Sequence, residues 1–87
     1  MANLGYKVFY TDGYVDLAEE MGITLTQGSD YQIQLENPAI LCVSATQPTK
    51  GGFYISNSKP FGYTHTGGTL WIKSLEYAPA VVNIAEG

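Results

Sequence analysis

Tyr31-Gln32-Ile33-Gln34-Leu35-Glu36 decides the fold class. Tyr31, Ile33 and Leu35 point one way, and Gln32, Gln34 and Glu36 point the other. A period of two with one greasy and one polar set is the pattern of a strand buried on one face and wet on the other. Asn37-Pro38 stops it, because proline lacks the N–H a ladder needs. Upstream, Ile23-Thr24-Leu25-Thr26-Gln27 alternates in the same way. Gly28-Ser29-Asp30 is short enough to join the two as a hairpin. The organising element is therefore an antiparallel pair, and the chain is read outward from it.

Downstream, Ala39 to Thr46 is apolar on both faces, which predicts a central strand covered on both sides. Residues 47–52 form a loop, and Phe53-Tyr54-Ile55-Ser56 a short strand. Residues 57–68 are rich in Ser, Gly, Thr and Pro, and read as a loop that carries Phe61, Tyr63 and His65. Leu70 to Tyr77 is the next strand, broken by Ala78-Pro79, and Ala80 to Ala85 is the last. Upstream, Tyr6 to Tyr10 forms a strand with Tyr6, Val8 and Tyr10 on one side and Phe9 on the other. Thr11-Asp12-Gly13 turns the chain. Tyr14, Leu17, Ala18 and Met21 keep helical spacing, and Gly22 is placed to close a helix; a short helix and an extended arm both fit this stretch, and the expectation is an arm or hairpin with at most one or two helical turns.

The count is about seven strands at roughly 8–12-residue spacing, with no helix of crossover length between them. The expected fold class is all-β: a small antiparallel β-sandwich or barrel, residues 23–87, preceded by an N-terminal arm or hairpin, residues 1–22. Eighty-seven residues make one domain. A chain of this size buries only about 60–65% of its unfolded surface, so association with other chains is a common way to stabilise it. Cys42 is the single cysteine, which rules out an intrachain disulfide.

The charge is acidic: eight carboxylates, four lysines and no arginine. Asp12, Asp16, Glu19, Glu20, Asp30 and Glu36 fall in a span without a base. That field repels duplex DNA or RNA, so no nucleic-acid partner is expected. No apolar run approaches the roughly 20 residues of a spanning helix, and no basic amphipathic stretch suits a membrane surface. Without a recognisable signal segment, synthesis in a cytoplasm with Cys42 reduced is the simplest expectation.

The candidates for chemistry are weak. His65 stands between two threonines with no orienting acid in sequence, and reads as a polar loop residue. Cys42 lies in the most apolar strand and reads as a small buried hydrophobe. The acids at 12, 16, 19 and 20 lack the alternating oxygens and central glycine of a calcium loop, and read as a solvated face. Gly51-Gly52 and Gly67-Gly68 precede no helix and are turn glycines, not phosphate loops. No catalytic residue, metal site or cofactor is expected. Trp71 alternates with Leu70 and Ile72. If those two enter the core, Trp71, Lys73, Leu75 and Tyr77 line an apolar outer face for a second sheet, a second subunit or a sugar ring to cover.

Cys42-Val43-Ser44, the Gln47-Pro48 loop, the Lys59-Pro60-Phe61-Gly62 turn and Gly68-Thr69-Leu70-Trp71-Ile72-Lys73-Ser74 together resemble small virion proteins of tailed bacteriophages. The resemblance implies a non-enzymatic virion part: a capsid decoration (cement) protein, or a small head-fibre or tail component. It also implies symmetric assembly, commonly a homotrimer, and an N-terminal arm that reaches neighbouring subunits. The implied partner is the major capsid protein or another virion protein, and the implied location is the virion. On this reading the partner contacts are Leu4, Tyr6, Val8, Phe9 and Tyr10, with Trp71 and Tyr77 at a subunit interface. Removing residues 1–10 is then expected to weaken attachment and leave the β domain folded. The rival reading is a carbohydrate- or receptor-binding module of a tail fibre, with Phe61, Tyr63 and His65 against glycan.

Overall fold

A computed structural model describes residues 2–55 and 60–86. Among them are eight strands and one short helix: β1 (Ala2–Phe9), β2 (Val15–Asp16), α1 (Leu17–Met21), β3 (Asp30–Leu35), β4 (Ala39–Ser44), β5 (Phe53–Ile55), β6 (Phe61–Thr64), β7 (Thr69–Ser74) and β8 (Ala80–Glu86). They form two four-stranded sheets, ordered β1-β8-β3-β6 and β2-β7-β4-β5, with every pairing antiparallel. The chain is an all-β sandwich. Only β4 and β5 are both consecutive and paired; the other connections carry the chain between sheets.

The deciding hexapeptide behaves as its pattern requires. Tyr31, Ile33 and Leu35 are buried, and Gln32 and Glu36 are exposed. In the facing sheet Ala39, Leu41, Leu70 and Ile72 turn inward, while β8 adds Ala80, Val82 and Ile84. These residues meet in one core, whose apolar burial is the main stabilising term.

β3 has both of its edges occupied, by β8 on one side and β6 on the other. That is why Ile23–Gln27 does not form the expected hairpin strand: no edge is left for it. The segment is held by other bonds. The Tyr31 hydroxyl accepts from the Thr26 N–H at 2.6 Å, and the Gly28 N–H donates to the His65 carbonyl at 2.7 Å. The place of that strand is taken by β6, which occupies part of the region read as a loop. Lys59 of the expected turn and Ser56 of the expected strand lie outside the described residues.

Residues 2–22, read from sequence as an arm or hairpin beside the β domain, are built into both sheets. β1 pairs with β8 from Ala2 to Phe9, and β2 pairs with β7. Phe9 lies in the core, where the β1 alternation sends it. The register slips between Asn3, opposite Ala85, and Gly5, opposite Ile84, which makes Leu4 the extra residue of a bulge. This bulge rotates Leu4 inward, and it packs against the core. α1 starts where the Asp16 carboxylate accepts from the Glu19 N–H at 3.3 Å. It ends at Gly22, whose φ of 70° is left-handed, with the Ile23 N–H returning to the Ala18 carbonyl. The helix touches β1, β2 and β7, and covers one open side of the sandwich.

β4 is central in its sheet but covered on one face only. Ala39 and Leu41 are buried, whereas Ile40 and Cys42 are half-buried on the outer side and Val43 is exposed. Cys42 is thus a half-buried thiol beside Trp71, its ladder partner, and not a core residue. β7 ends at Ser74, short of the expected Tyr77. Its buried Ser74 hydroxyl accepts from the Thr11 N–H at 3.0 Å, which ties the segment after β1 to the other sheet.

Candidate docking surfaces

The β1 alternation and the β1–β8 register put Tyr6 beside Asn83 and Val8 beside Val81 on the outer face of the first sheet. Tyr10, one residue past the strand, continues that row and is 70% exposed. Tyr6 and Val8 are also more than half exposed. The Tyr6 hydroxyl donates to the Glu36 carboxylate at 2.9 Å. That bond, with a small desolvation effect and the adjacent negative charge, holds the phenol above its ordinary range. The ring is therefore tethered at its tip and bare on its outer face.

Of the seven residues expected to bind partners, the fold keeps three on this face: Tyr6, Val8 and Tyr10. Tyr77 joins the same end of the molecule. It sits in the turn just before β8, 80% exposed, and antiparallel pairing puts the start of β8 beside the end of β1. Trp71 lies on the outer face of the other sheet, half-buried, with its indole N–H donating to the Ser44 carbonyl at 2.9 Å. Trp71 and Tyr77 are therefore on different surfaces, because β7 stops before Tyr77. Phe9 is buried in the core, and Leu4 packs against it half-buried. The first sheet packs on the Leu70 and Ile72 side of β7, which leaves the Trp71 side without a sheet over it.

The sequence reading missed a second apolar surface. β5 and β6 are edge strands of opposite sheets, and between them runs a groove of about 330 Å³ lined by Leu41, Val43, Phe53, Ile55, Phe61 and Tyr63. Phe53 is 76% exposed at its rim. The available signal was Phe53-Tyr54-Ile55 itself, three apolar residues in succession with no polar alternate. The same geometry moves the aromatics proposed for glycan contact. Phe61 and Tyr63 lie on a strand and pack against the core margin. His65 is buried, with Nδ1 2.9 Å from the Tyr63 hydroxyl. Burial, then the neighbouring Tyr31, raises the Tyr63 phenol above its ordinary range.

The acids do not act as one face. Asp16 caps α1, and Glu20 pairs with Lys7 at 3.2 Å. Among the described residues no three His, Cys, Asp or Glu side chains converge to hold a metal ion. No protein-family model matches the chain, and neither does any curated protein or solved structure.

Proposed function

We propose that this chain is a non-enzymatic structural protein of a tailed-phage virion, a capsid decoration protein that seats on the head shell as a homotrimer and stabilises it. The observation that carries this reading is the bare row Tyr6, Val8 and Tyr10 on a strand fixed in the sandwich, with Tyr77 at its end. Aromatics displayed on a rigid sheet lose little freedom on binding and are favoured at protein interfaces. The likeness of residues 42–74 to small virion proteins supplies the class of assembly. Symmetric burial against a shell also supplements the small core that a chain of this length can build.

The β1 edge supports contact through side chains and not through strand addition. Lys7 stands opposite the buried Val82, so it points inward at the sheet edge, where its ammonium meets the Glu20 carbonyl and carboxylate. With the bulge at Leu4, this is how sheet edges are protected from further pairing. Tyr6, Val8 and Tyr10 then meet the major capsid protein face-on. Imaging particles assembled with and without the protein tests the reading: extra density at fixed shell positions is expected, and unchanged shells refute it. Light scattering should report a trimer mass that does not vary with concentration.

A further inference from the structure

We propose that the docking face continues past Tyr6 into a polar hollow, and that this hollow receives a carboxamide side chain, Asn or Gln, of the docked protein. The inference rests on the docking reading above and names the chemistry of the partner at that face.

The hollow lies on the outer face of the first sheet. It has a volume of about 140 Å³ and is bounded by Gln32, Gln34, Pro60, Asn83 and Ala85. The strand registers place it. Tyr6 stands beside Asn83, Asn83 beside Gln34, and Ala85 beside Gln32. The row of bare side chains and the hollow are therefore neighbours on one continuous surface. Ala85 is short, and the taller amides around it leave the depression.

Asn83 carries the argument. Its Oδ1 is buried and has no hydrogen-bond partner. Buried polar atoms are nearly always paired, because an unpaired one forfeits its hydration for nothing. The cover over β8 has a visible source. The Tyr6 hydroxyl reaches Glu36, just past β3, so its ring crosses β8, which lies between β1 and β3. Val81 lies on this outer face and is buried although no sheet covers it. The folded chain thus holds an acceptor away from water at the margin of its docking face and supplies no donor for it.

Size and charge select the occupant. Ordinary ligand sites run to roughly 300–1,000 Å³, so this hollow suits one small group. No charged residue bounds it. A lysine, arginine or carboxylate would lose its water there without a counter-charge. An apolar side chain would leave Oδ1 unanswered. A carboxamide is neutral and planar, with two N–H donors and an acceptor. It can donate to Asn83 Oδ1 and exchange a donor and an acceptor with Gln34 across the hollow.

The test is co-sedimentation with shells prepared without the protein, using the parent chain, Asn83→Leu and Gln34→Ala, alongside thermal melts and NMR of the Tyr6 ring. Leucine keeps the branching of asparagine and removes the unpaired acceptor, so Asn83→Leu should melt at or above the parent temperature. With the Tyr6 ring resonances at their parent positions, it should bind the shells about fivefold more weakly, as loss of one neutral hydrogen bond implies. Gln34→Ala, a half-buried change on the outer face, should weaken binding in the same direction. Variants that bind as tightly as a parent that does pellet overturn this inference alone. A lower melting temperature for Asn83→Leu also overturns it, because Asn83 would then be paired in the free protein. A parent chain that does not pellet refutes the docking reading itself, and the inference falls with it.

Discussion

Tyr14 donates its hydroxyl to the carbonyl oxygen of Gly51, and so ties the segment between β1 and β2 to the loop that feeds β5. The phenol is buried, and the Lys73 ammonium lies 6.0 Å from the centre of its ring. Gln47 reinforces the tie by donating its amide to the Tyr14 carbonyl at 2.7 Å. The next residue, Gly52, has a φ of 95°, and a Cβ there would stand 2.6 Å from the Tyr14 hydroxyl and 2.8 Å from the Leu41 carbonyl.

Gly52→Ala is therefore expected to cost about 2 kcal/mol or more, combining a left-handed backbone with a backbone clash. Gly51→Ala has the same backbone sign but open space around it, and should cost less. Chemical denaturation of the two variants checks this. Equal losses would remove the packing argument.

The Tyr14 phenol is raised above the ordinary tyrosine value of 10.0, first by burial and then by the nearby Cys42. A raised folded value means that the neutral phenol is favoured in the fold. Its contribution is complete below the unfolded value and is lost as pH climbs through the folded one. Melting temperature should therefore fall as pH rises beyond about 10. Tyr14→Phe should lower stability by about 1 kcal/mol at neutral pH and flatten that alkaline decline, leaving the parts owed to Tyr6 and Tyr63. A Phe variant with an unchanged alkaline slope would contradict the assignment.

β1 is part of the core, so deletion of residues 1–10 should unfold the protein instead of merely detaching it. Phe9→Ala alone should cost about 3 kcal/mol or more, a large share of the total stability of about 5–15 kcal/mol typical of small domains. Circular dichroism and thermal melts read the outcome directly. A truncated chain that melts cooperatively near the parent temperature would mean that β1 is dispensable.

The residues legible from sequence are those whose faces differ in kind. Tyr31, Ile33 and Leu35 against Gln32, Gln34 and Glu36 fixed both strand and facing, and the row of Tyr6, Val8 and Tyr10 opposite Phe9 was read correctly from the same period. Leu4 was lost because a bulge changes facing without leaving a local mark. Ile23–Gln27 has the pattern of a strand but no free edge to join, a property of topology that no local window contains. β2 has two residues, too few to show a period. Phe61 and Tyr63 were hidden among turn-forming neighbours, and the groove they share with Phe53 exists only once two sheets are stacked. His65 looked bland because nothing local to it shows that the fold buries the ring beside Tyr63.

The central claim is that the Tyr6, Val8 and Tyr10 face docks this sandwich onto a larger protein surface. Co-sedimentation with shells prepared without the protein tests it most directly, comparing the parent chain with a Tyr6→Ser, Val8→Thr, Tyr10→Ser variant. The three side chains are exposed, so the variant should melt within a few degrees of the parent. The account predicts that the parent pellets with the shells and the folded variant binds at least tenfold more weakly, a loss of about 1.4 kcal/mol or more. A folded variant that binds the shells as tightly as the parent would contradict it.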